Sequence, residues 1–179
     1  MERSRTTTKA KIPAARKSQT ARIDVQVAAR YRTKVKPAFL RRAAQATLVQ
    51  QRVQAGVELT IVITGNAQLR SLNRTFRDVD APTDVLSFAT DERLRPDAVY
   101  LGDVIISYPQ AREQAKVGGH AVQAELQLLV VHGVLHLLGH DHYTEAEKNV
   151  MWKAQAAVLK KLGTALLTEP QVGQSQRKR

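Results

Sequence analysis

The sequence predicts an α+β fold, with one small mixed β-sheet of about four strands packed by helices. Short runs of alternating apolar and polar residues have the period of half-buried strands, and they are interspersed with segments whose apolar residues recur at helical spacing. The chain has 179 residues, about the length of one domain, and 43% of them are apolar, enough for a core. No internal repeat is visible, so we expect one sheet covered by helices.

The first half of the chain alternates strands with helices. The predicted elements are a strand over 23–27, a helix over 37–55, a strand over 57–63 and a helix over 66–76. Pro37 suits the first turn of a helix, and Gly56 ends that helix. Asn66 is predicted to cap the following helix, because its side-chain oxygen can accept a backbone N–H of the first turn.

The second half adds two strands and three helices. The predicted elements are a loop over 78–83, a strand over 85–88, a loop over 91–98, a strand over 99–107, and helices up to 117, over about 121–138 and over 144–162. Gly139 stops the long apolar helix. Thr144 and Glu147 form a capping box that starts the last helix.

Charge divides the chain into a body and two basic ends. Residues 1–20 and the last three residues together hold nine basic residues and one acidic residue, so they supply eight units of the net charge of +12. We therefore predict a disordered basic arm over 1–20, a globular domain over 21–165 and a basic C-terminal tail over 166–179. The ends either bind a phosphate backbone in a salt-sensitive way or serve as solubilising tails, and charge leaves both alternatives open.

Composition excludes several classes of protein. The chain has no cysteine, so disulfides and thiolate chemistry are excluded, and any transition metal must bind imidazole or carboxylate. No apolar run approaches the roughly 18 residues of a membrane span, and the N-terminus lacks the apolar core of a secretory signal. We therefore expect a cytoplasmic protein without a membrane partner, with organellar targeting by the Ser-, Thr- and Arg-rich arm as the alternative.

A histidine-rich segment carries the chemistry. His132 and His136 are four residues apart, so on a helix they project from one face and can share a metal ion. Gly139 allows a left-handed turn after the helix, and His142 can then supply a third imidazole. Zinc is the metal expected for ligands that are all imidazole, with other divalent transition metals chemically admissible. The predicted metal site thus lies at the end of the long central helix.

The number of ligands indicates the kind of site. Three protein ligands leave a fourth coordination position for water, which is typical of catalytic sites rather than of closed structural ones. His140 either lines the cleft or faces solvent, although as a fourth ligand it would close the site. Asp141 either orients a ligand imidazole or stabilises the turn before the last helix.

The same histidine spacing occurs in metzincin proteases, so a metal-dependent peptidase or other amide hydrolase is one alternative. Those enzymes carry a glutamate general base after the first histidine, where this chain has Gly133. Their Met-turn is also missing, because Met151 falls inside the last predicted helix. The three histidines therefore fit a metal hydrolase, but the protease chemistry lacks its base.

The run over residues 132–142 resembles the signature H-G-x-L-H-L-x-G-x-D-H of the YbeY family of metal-dependent endoribonucleases and matches every fixed position. A second family block, L-N-x-x-[YF]-R-x-x-D-x-P-T-D-V-L-S-F, is matched over residues 72–88, and a third, L-G-D-[IV], over 101–104. The resemblance covers roughly residues 21–165. His140 is a departure, because the family often has tyrosine at that position.

The resemblance implies an α+β fold, zinc on the three histidines and cleavage of single-stranded RNA. It also implies a role in maturation of the 3′ end of small-subunit (16S) ribosomal RNA and in ribosome quality control. Arg77 matches the family's functional arginine, so Arg77 and His132 are the implied catalytic residues; a guanidinium beside the metal suits the charge on a scissile phosphate. A non-enzymatic ribosome assembly factor, whose metal only pins the loop to the helix, stays an alternative.

Three carboxylates have two interpretations each. Asp84 either bonds local backbone at the turn into a strand or lines the cleft. Asp103, at the start of a strand, is a candidate docking residue for a small-subunit ribosomal protein, which the resemblance suggests. Glu125, two helical turns before His132, is expected to be exposed rather than to orient a ligand.

The attacking group also stays open, because either water or the ribose 2′-hydroxyl can attack.

Overall fold

The computed structural model describes residues 21–53, 56–90, 93–95 and 98–164. The predicted basic arm over 1–20 and the predicted tail over 166–179 lie outside the described residues. The boundaries drawn at these two ends therefore stay predictions.

Strands and helices follow one another through the described part of the chain. The elements are β1 (Arg22–Val27), α1 (Pro37–Gln50), β2 (Val57–Thr64), α2 (Asn66–Arg77), β3 (Val85–Ala89), β4 (Arg93–Arg95), β5 (Ala98–Ser107), α3 (Tyr108–Val117), α4 (Val122–Leu137) and α5 (Glu145–Leu162). The predicted α+β class is confirmed. A 3-10 turn also lies between β1 and α1.

The sheet is mixed, as the sequence predicted. Its strands run in the order β1-β2-β5-β3, in which β1, β2 and β5 are parallel and β3 is antiparallel to β5. The short β4 pairs with the beginning of β5. The prediction of a loop over 91–98 was therefore wrong in part, because backbone pairing with β5 forms a strand where the polar sequence gives no alternating pattern. The antiparallel β3 is therefore an edge strand of the sheet.

Two helix boundaries differ from the prediction. Asn66 is the first residue of α2, while Gly65 takes the capping position. The side chain of Asn66 instead accepts a hydrogen bond of 2.5 Å from the Ser107 hydroxyl at the end of β5. Helix α1 ends at Gln50, before Gly56, because Arg52 already has a left-handed backbone with φ of 55°.

Helix α4 is buried on nearly all sides. Its residues from Glu125 to Leu135 are all buried, between the sheet on one side and α1, α3 and α5 around it. Such a position suits a helix that is apolar around its whole circumference. Within the described residues, no helix has both the length and the hydropathy needed to cross a bilayer.

Gly133 sets how closely α4 approaches the sheet. A Cβ atom at this position would lie 2.4 Å from Val104 Cγ1 of β5 and 3.1 Å from Ser87 Oγ of β3, so a larger residue would force a shift. The Ser87 hydroxyl donates a hydrogen bond of 3.3 Å to the Gly133 carbonyl. The close approach places the C-terminal end of α4 beside the edge strand β3.

Candidate metal centre

Three histidines converge at the C-terminal end of α4. One ligand nitrogen from each of His132, His136 and His142 can be chosen so that all three lie within 4.8 Å of one another. The Nε2 atoms of His132 and His136, one helical turn apart, are separated by 3.1 Å. We call these residues the three-histidine cluster. Their convergence is the arrangement that the spacing predicted, and it suits one metal ion held by imidazole.

The turn after α4 brings His142 back to the helix. Gly139 has a φ of 84°, and the backbone N–H of His140 donates to the Leu135 carbonyl at 3.0 Å, so the chain reverses through a left-handed residue. The Asp141 carboxylate accepts a hydrogen bond of 2.8 Å from the backbone N–H of His142. The predicted capping box of Thr144 is present at the start of α5 and fixes the other end of this loop.

Gln155 of α5 orients His132. Its side-chain oxygen lies 3.3 Å from His132 Nδ1, and the two residues are 4% and 1% exposed. Because an amide oxygen only accepts, this contact favours the tautomer of His132 with its proton on Nδ1, which leaves the Nε2 lone pair towards His136. Sequence reasoning missed Gln155. The available signal was a polar residue within the buried stripe of α5, which also contains Met151 and Val158.

The cluster favours neutral imidazoles. Burial, followed by the nearby His136 and His142, lowers the pKa of His132 to about 3. Burial and His142 lower the pKa of His136 to about 4, against an opposing effect of the Asp141 charge. Both rings are therefore neutral near pH 7, which is the form that binds a metal ion.

Trp152 of α5 forms one wall of the cluster. Its ring meets those of His142 and His132 edge to face, with centroid distances of 5.5 and 6.0 Å. The Lys148 ammonium lies 5.9 Å from the centre of the Trp152 ring. Met151, adjacent in sequence, is fully buried inside α5 and forms no Met-turn. The sequence analysis did not single out Trp152, although it is the one tryptophan of the chain.

Arg77 lies at the C-terminal end of α2 and is exposed. The pKa of His136 is lowered chiefly by burial and more weakly by the positive charge of Arg77. The guanidinium is thus a solvated group within electrostatic reach of the cluster. It has the access to solvent that an RNA phosphate would need.

His140 does not join the cluster. Its Nε2 atom lies 3.0 Å from the side-chain oxygen of Gln51, which follows α1. Among the described residues, no fourth histidine, aspartate or glutamate belongs to the group that could hold a metal. The geometry therefore does not support closure of the site by His140.

Asp84 and Asp103 both lie outside the cluster. Asp84 is 3% exposed and accepts hydrogen bonds from the Val85 backbone N–H at 2.8 Å and from the Gln114 side chain at 2.9 Å. The first is the local backbone bond that one interpretation predicted. Asp103 lies in the middle of β5, not at its start as predicted, and accepts a hydrogen bond of 2.7 Å from the Tyr100 hydroxyl.

The prediction that Glu125 is exposed was wrong. Glu125 is 3% exposed, and its carboxylate lies 2.5 Å from His120 Nε2. The physical reason is that α4 has almost no solvent face, so helical spacing alone could not assign Glu125 to one. Burial raises the pKa of Glu125, while the hydrogen bond from His120 opposes that change.

Comparisons with known proteins agree with the sequence motifs. The family model described as "Endoribonuclease YbeY" matches residues 22–163. A protein of Dehalococcoides mccartyi with that name is 43% identical over 151 residues, which cover 77% of this chain and 94% of the relative. One from Roseiflexus castenholzii is 49% identical over 125 residues, 67% of this chain and 79% of the relative. A solution structure from Thermotoga maritima, 21% identical, has a TM-score of 0.50 and covers 80% of this chain and 92% of its own, which supports the fold alone.

Proposed function

The chain belongs to the YbeY family of endoribonucleases, and we propose that it is a metal-dependent endoribonuclease that cleaves single-stranded RNA. We place its action in maturation of the 3′ end of small-subunit ribosomal RNA and in ribosome quality control. The observation that carries the proposal is the three-histidine cluster at the end of α4, in a chain whose relatives are named as endoribonucleases.

Zinc is the metal we propose for the cluster. The donor set fits it, because three imidazoles converge and no carboxylate or thiolate within the described residues joins them. When bound there, zinc supplies Lewis-acid polarisation of a scissile phosphate and lowers the pKa of an attacking hydroxyl group. Gln155 holds His132 in the tautomer that this coordination requires.

Arg77 is the residue we propose to hold the phosphate. It is exposed, and its positive charge contributes weakly to the lowered pKa of His136, so it favours an anion bound at the cluster. A guanidinium can donate two parallel hydrogen bonds to phosphate oxygens and stabilise the charge that develops on them. Gly133 offers no side chain as a general base and is packed against Val104. The attacking group is therefore water or the ribose 2′-hydroxyl.

One experiment tests metal, substrate and strand preference together. Purified protein is analysed for metal, and the same sample is incubated with labelled single-stranded and double-stranded RNA. We expect about one zinc ion per chain and cleavage of the single strand. His132→Ala should abolish both, whereas Arg77→Glu should retain zinc and lower cleavage roughly 100-fold.

The outcomes separate the alternatives. Full cleavage by the metal-free His132→Ala variant would sink the proposal, and loss of zinc in Arg77→Glu would make Arg77 structural. Cleavage of casein in place of RNA would favour an amide hydrolase. A 2′,3′-cyclic phosphate among the products would assign the attack to the 2′-hydroxyl, whereas a 5′-phosphate beside a 3′-hydroxyl would assign it to water.

Partners and location follow from the same proposal. We propose ribosomal RNA and the small ribosomal subunit as partners, with a small-subunit ribosomal protein that contacts Asp103. Asp103 is half-buried on β5, so part of its side chain can reach such a protein. The proposed location is the cytoplasm.

A further inference from the structure

Phe76 is an aromatic side chain that the fold leaves in solvent. It is the penultimate residue of α2 and is 63% exposed. Its ring meets the half-buried ring of Phe88 edge to face, at a centroid distance of 5.0 Å and an interplanar angle of 65°. Because Phe88 holds one edge of the ring, Phe76 has a preferred orientation while most of its surface stays accessible.

Phe76 is linked to the three-histidine cluster through a short series of contacts. Phe88 follows Ser87 on β3, and the Ser87 hydroxyl donates to the carbonyl of Gly133, the residue after His132. The exposed ring is therefore supported by the strand that packs against the metal-site helix.

The charges around Phe76 favour a nucleic acid. Arg77 is its neighbour in sequence, and Arg74 precedes Arg77 by about one helical turn; both are exposed. The third arginine of this helix, Arg70, forms a salt bridge with Asp80 at 2.8 Å. An apolar ring flanked by cations offers a stacking surface for a base and counter-charges for its phosphates.

We propose that Phe76 is a stacking platform for one base of the RNA, next to the phosphate held at Arg77 and the metal site. This inference rests on the proposed function and deepens it, because it assigns the strand preference to a residue. A base inside a duplex has both faces covered by its neighbours, so it can stack on Phe76 only after it leaves the helix, and the platform favours single-stranded RNA. Stacking on one ring tolerates every base, so the platform selects strandedness and not sequence.

The test measures stacking apart from cleavage. The full-length protein is titrated with a short single-stranded 2′-O-methyl oligonucleotide that contains 2-aminopurine, whose fluorescence falls on stacking, and a denaturing gel checks that it stays intact. Phe76→Ala should weaken binding roughly 5- to 100-fold and abolish the quenching, since a base–aromatic stack has about that effect. Phe76→Trp should bind within about threefold of wild type, because a larger ring also stacks.

Phe39 provides the matched control. It is 39% exposed and lies 5.9 Å from the Lys36 ammonium, so it too is an exposed ring beside a cation. It lies near the start of α1, whereas Gln51, beyond the other end of that helix, contacts His140; the rise of a helix separates these points by about 18 Å. Phe39→Ala should leave binding and quenching unchanged.

Salt dependence separates stacking from charge. Phe76→Ala should leave the slope of log affinity against log salt unchanged, whereas Arg74→Ala should reduce it by about one. Wild-type affinity or quenching in Phe76→Ala, or no rescue by Phe76→Trp, would overturn the platform. If Phe76→Ala instead lost only association with ribosomal proteins, the ring would be a protein contact and the proposal would fail.

RNA cleavage by the same samples distinguishes failure of the stacking platform from failure of the proposed function. If wild type cleaves single-stranded RNA and Phe76→Ala binds normally, the platform is wrong and the proposed function stands. If wild type neither binds nor cleaves RNA, both are wrong. Thermal unfolding of Phe76→Ala should match wild type closely, since the ring is exposed.

Discussion

Helix α4 has a histidine contact at each end, part-buried at one and buried at the other, and the two contacts differ in chemistry. Near its beginning, His120 lies against the Glu125 carboxylate at 2.5 Å. Near its C-terminal end, His132 lies against the amide oxygen of Gln155 and against His136. We refer to the first contact as the His120–Glu125 pair. A carboxylate stabilises a protonated imidazole, whereas an amide oxygen and further imidazoles do not.

The difference explains why only one end of α4 is a candidate metal centre. At the cluster, burial and neighbouring histidines hold the rings of His132 and His136 neutral, and the ligand nitrogens of all three histidines converge. In the His120–Glu125 pair, a single imidazole meets a single carboxylate, and the pair does not belong to a metal-binding group of the described residues. One histidine in a polar contact is thus insufficient. A metal site requires several ligand nitrogens directed at one point.

The largest expected effect comes from removing one histidine at each end. His136→Ala should reduce bound zinc to a background level and abolish RNA cleavage, because two imidazoles remain for the ion. His120→Ala should keep one zinc per chain and lower the free energy of unfolding by about 1–3 kcal/mol, because it leaves the buried Glu125 without its partner. Elemental analysis and urea unfolding measure the two quantities.

The two variants must differ in this direction for the comparison to hold. Stoichiometric zinc in His136→Ala would mean that the cluster is not the metal site. Loss of zinc in His120→Ala, with an intact fold by circular dichroism, would mean that the two ends of α4 are coupled.

A smaller effect is expected at Gln155, the residue that makes the cluster unlike the pair. Gln155→Leu leaves the Nδ1 proton of His132 without an acceptor, so zinc affinity should fall about 10- to 100-fold. Gln155→Glu gives the cluster a carboxylate like that of the pair and should bind zinc at least as tightly as wild type near pH 7. Competition with a chelator measures both, and the exposed Lys153→Ala on the same helix is the control. Equal zinc affinity in Gln155→Leu and wild type would mean that Gln155 does not orient His132.

Local patterns were enough to predict most of the fold and the convergence of the three histidines. Alternation identified β1 and β2, short apolar runs identified β3 and β5, and the Thr144 capping box identified the start of α5. His132 and His136 needed only helical spacing, and Gly139 needed only its tolerance of a positive φ. These features depend on a few neighbouring residues, so they can be read without knowledge of tertiary contacts.

The features that sequence reasoning missed depend on distant parts of the chain. Gln155 contacts His132 only because α5 packs on α4. The side chain of Asn66 does not cap α2 and instead accepts a hydrogen bond from Ser107 of β5. Gly133 was interpreted as a missing base, yet its immediate physical role is to let α4 approach Val104. Glu125 was misassigned because α4 is enclosed on nearly all sides.

The smallest expected effect is a pH dependence of stability with opposite signs at the two ends of α4. In metal-free protein, the pKa values of His132 and His136 lie near 3 and 4, below the ordinary 6.5. As pH falls below 6.5, the unfolded chain takes up protons that the native cluster excludes, so the native state loses stability. Glu125 acts in reverse: burial raises its pKa, so its native carboxylate takes up a proton first and stability is gained as pH falls.

Urea unfolding of EDTA-treated protein between pH 7 and pH 5 checks these signs. His136→Ala should flatten the loss of stability on acidification by up to about 1.4 kcal/mol per pH unit, the value for one proton. Glu125→Gln should steepen the loss, because it removes the opposing group. Zinc-loaded wild type should lose zinc as pH falls, since protons compete for the imidazole lone pairs. A steeper loss in His136→Ala than in wild type would mean that the cluster is not held neutral, and the contrast between the two ends of α4 would then be wrong.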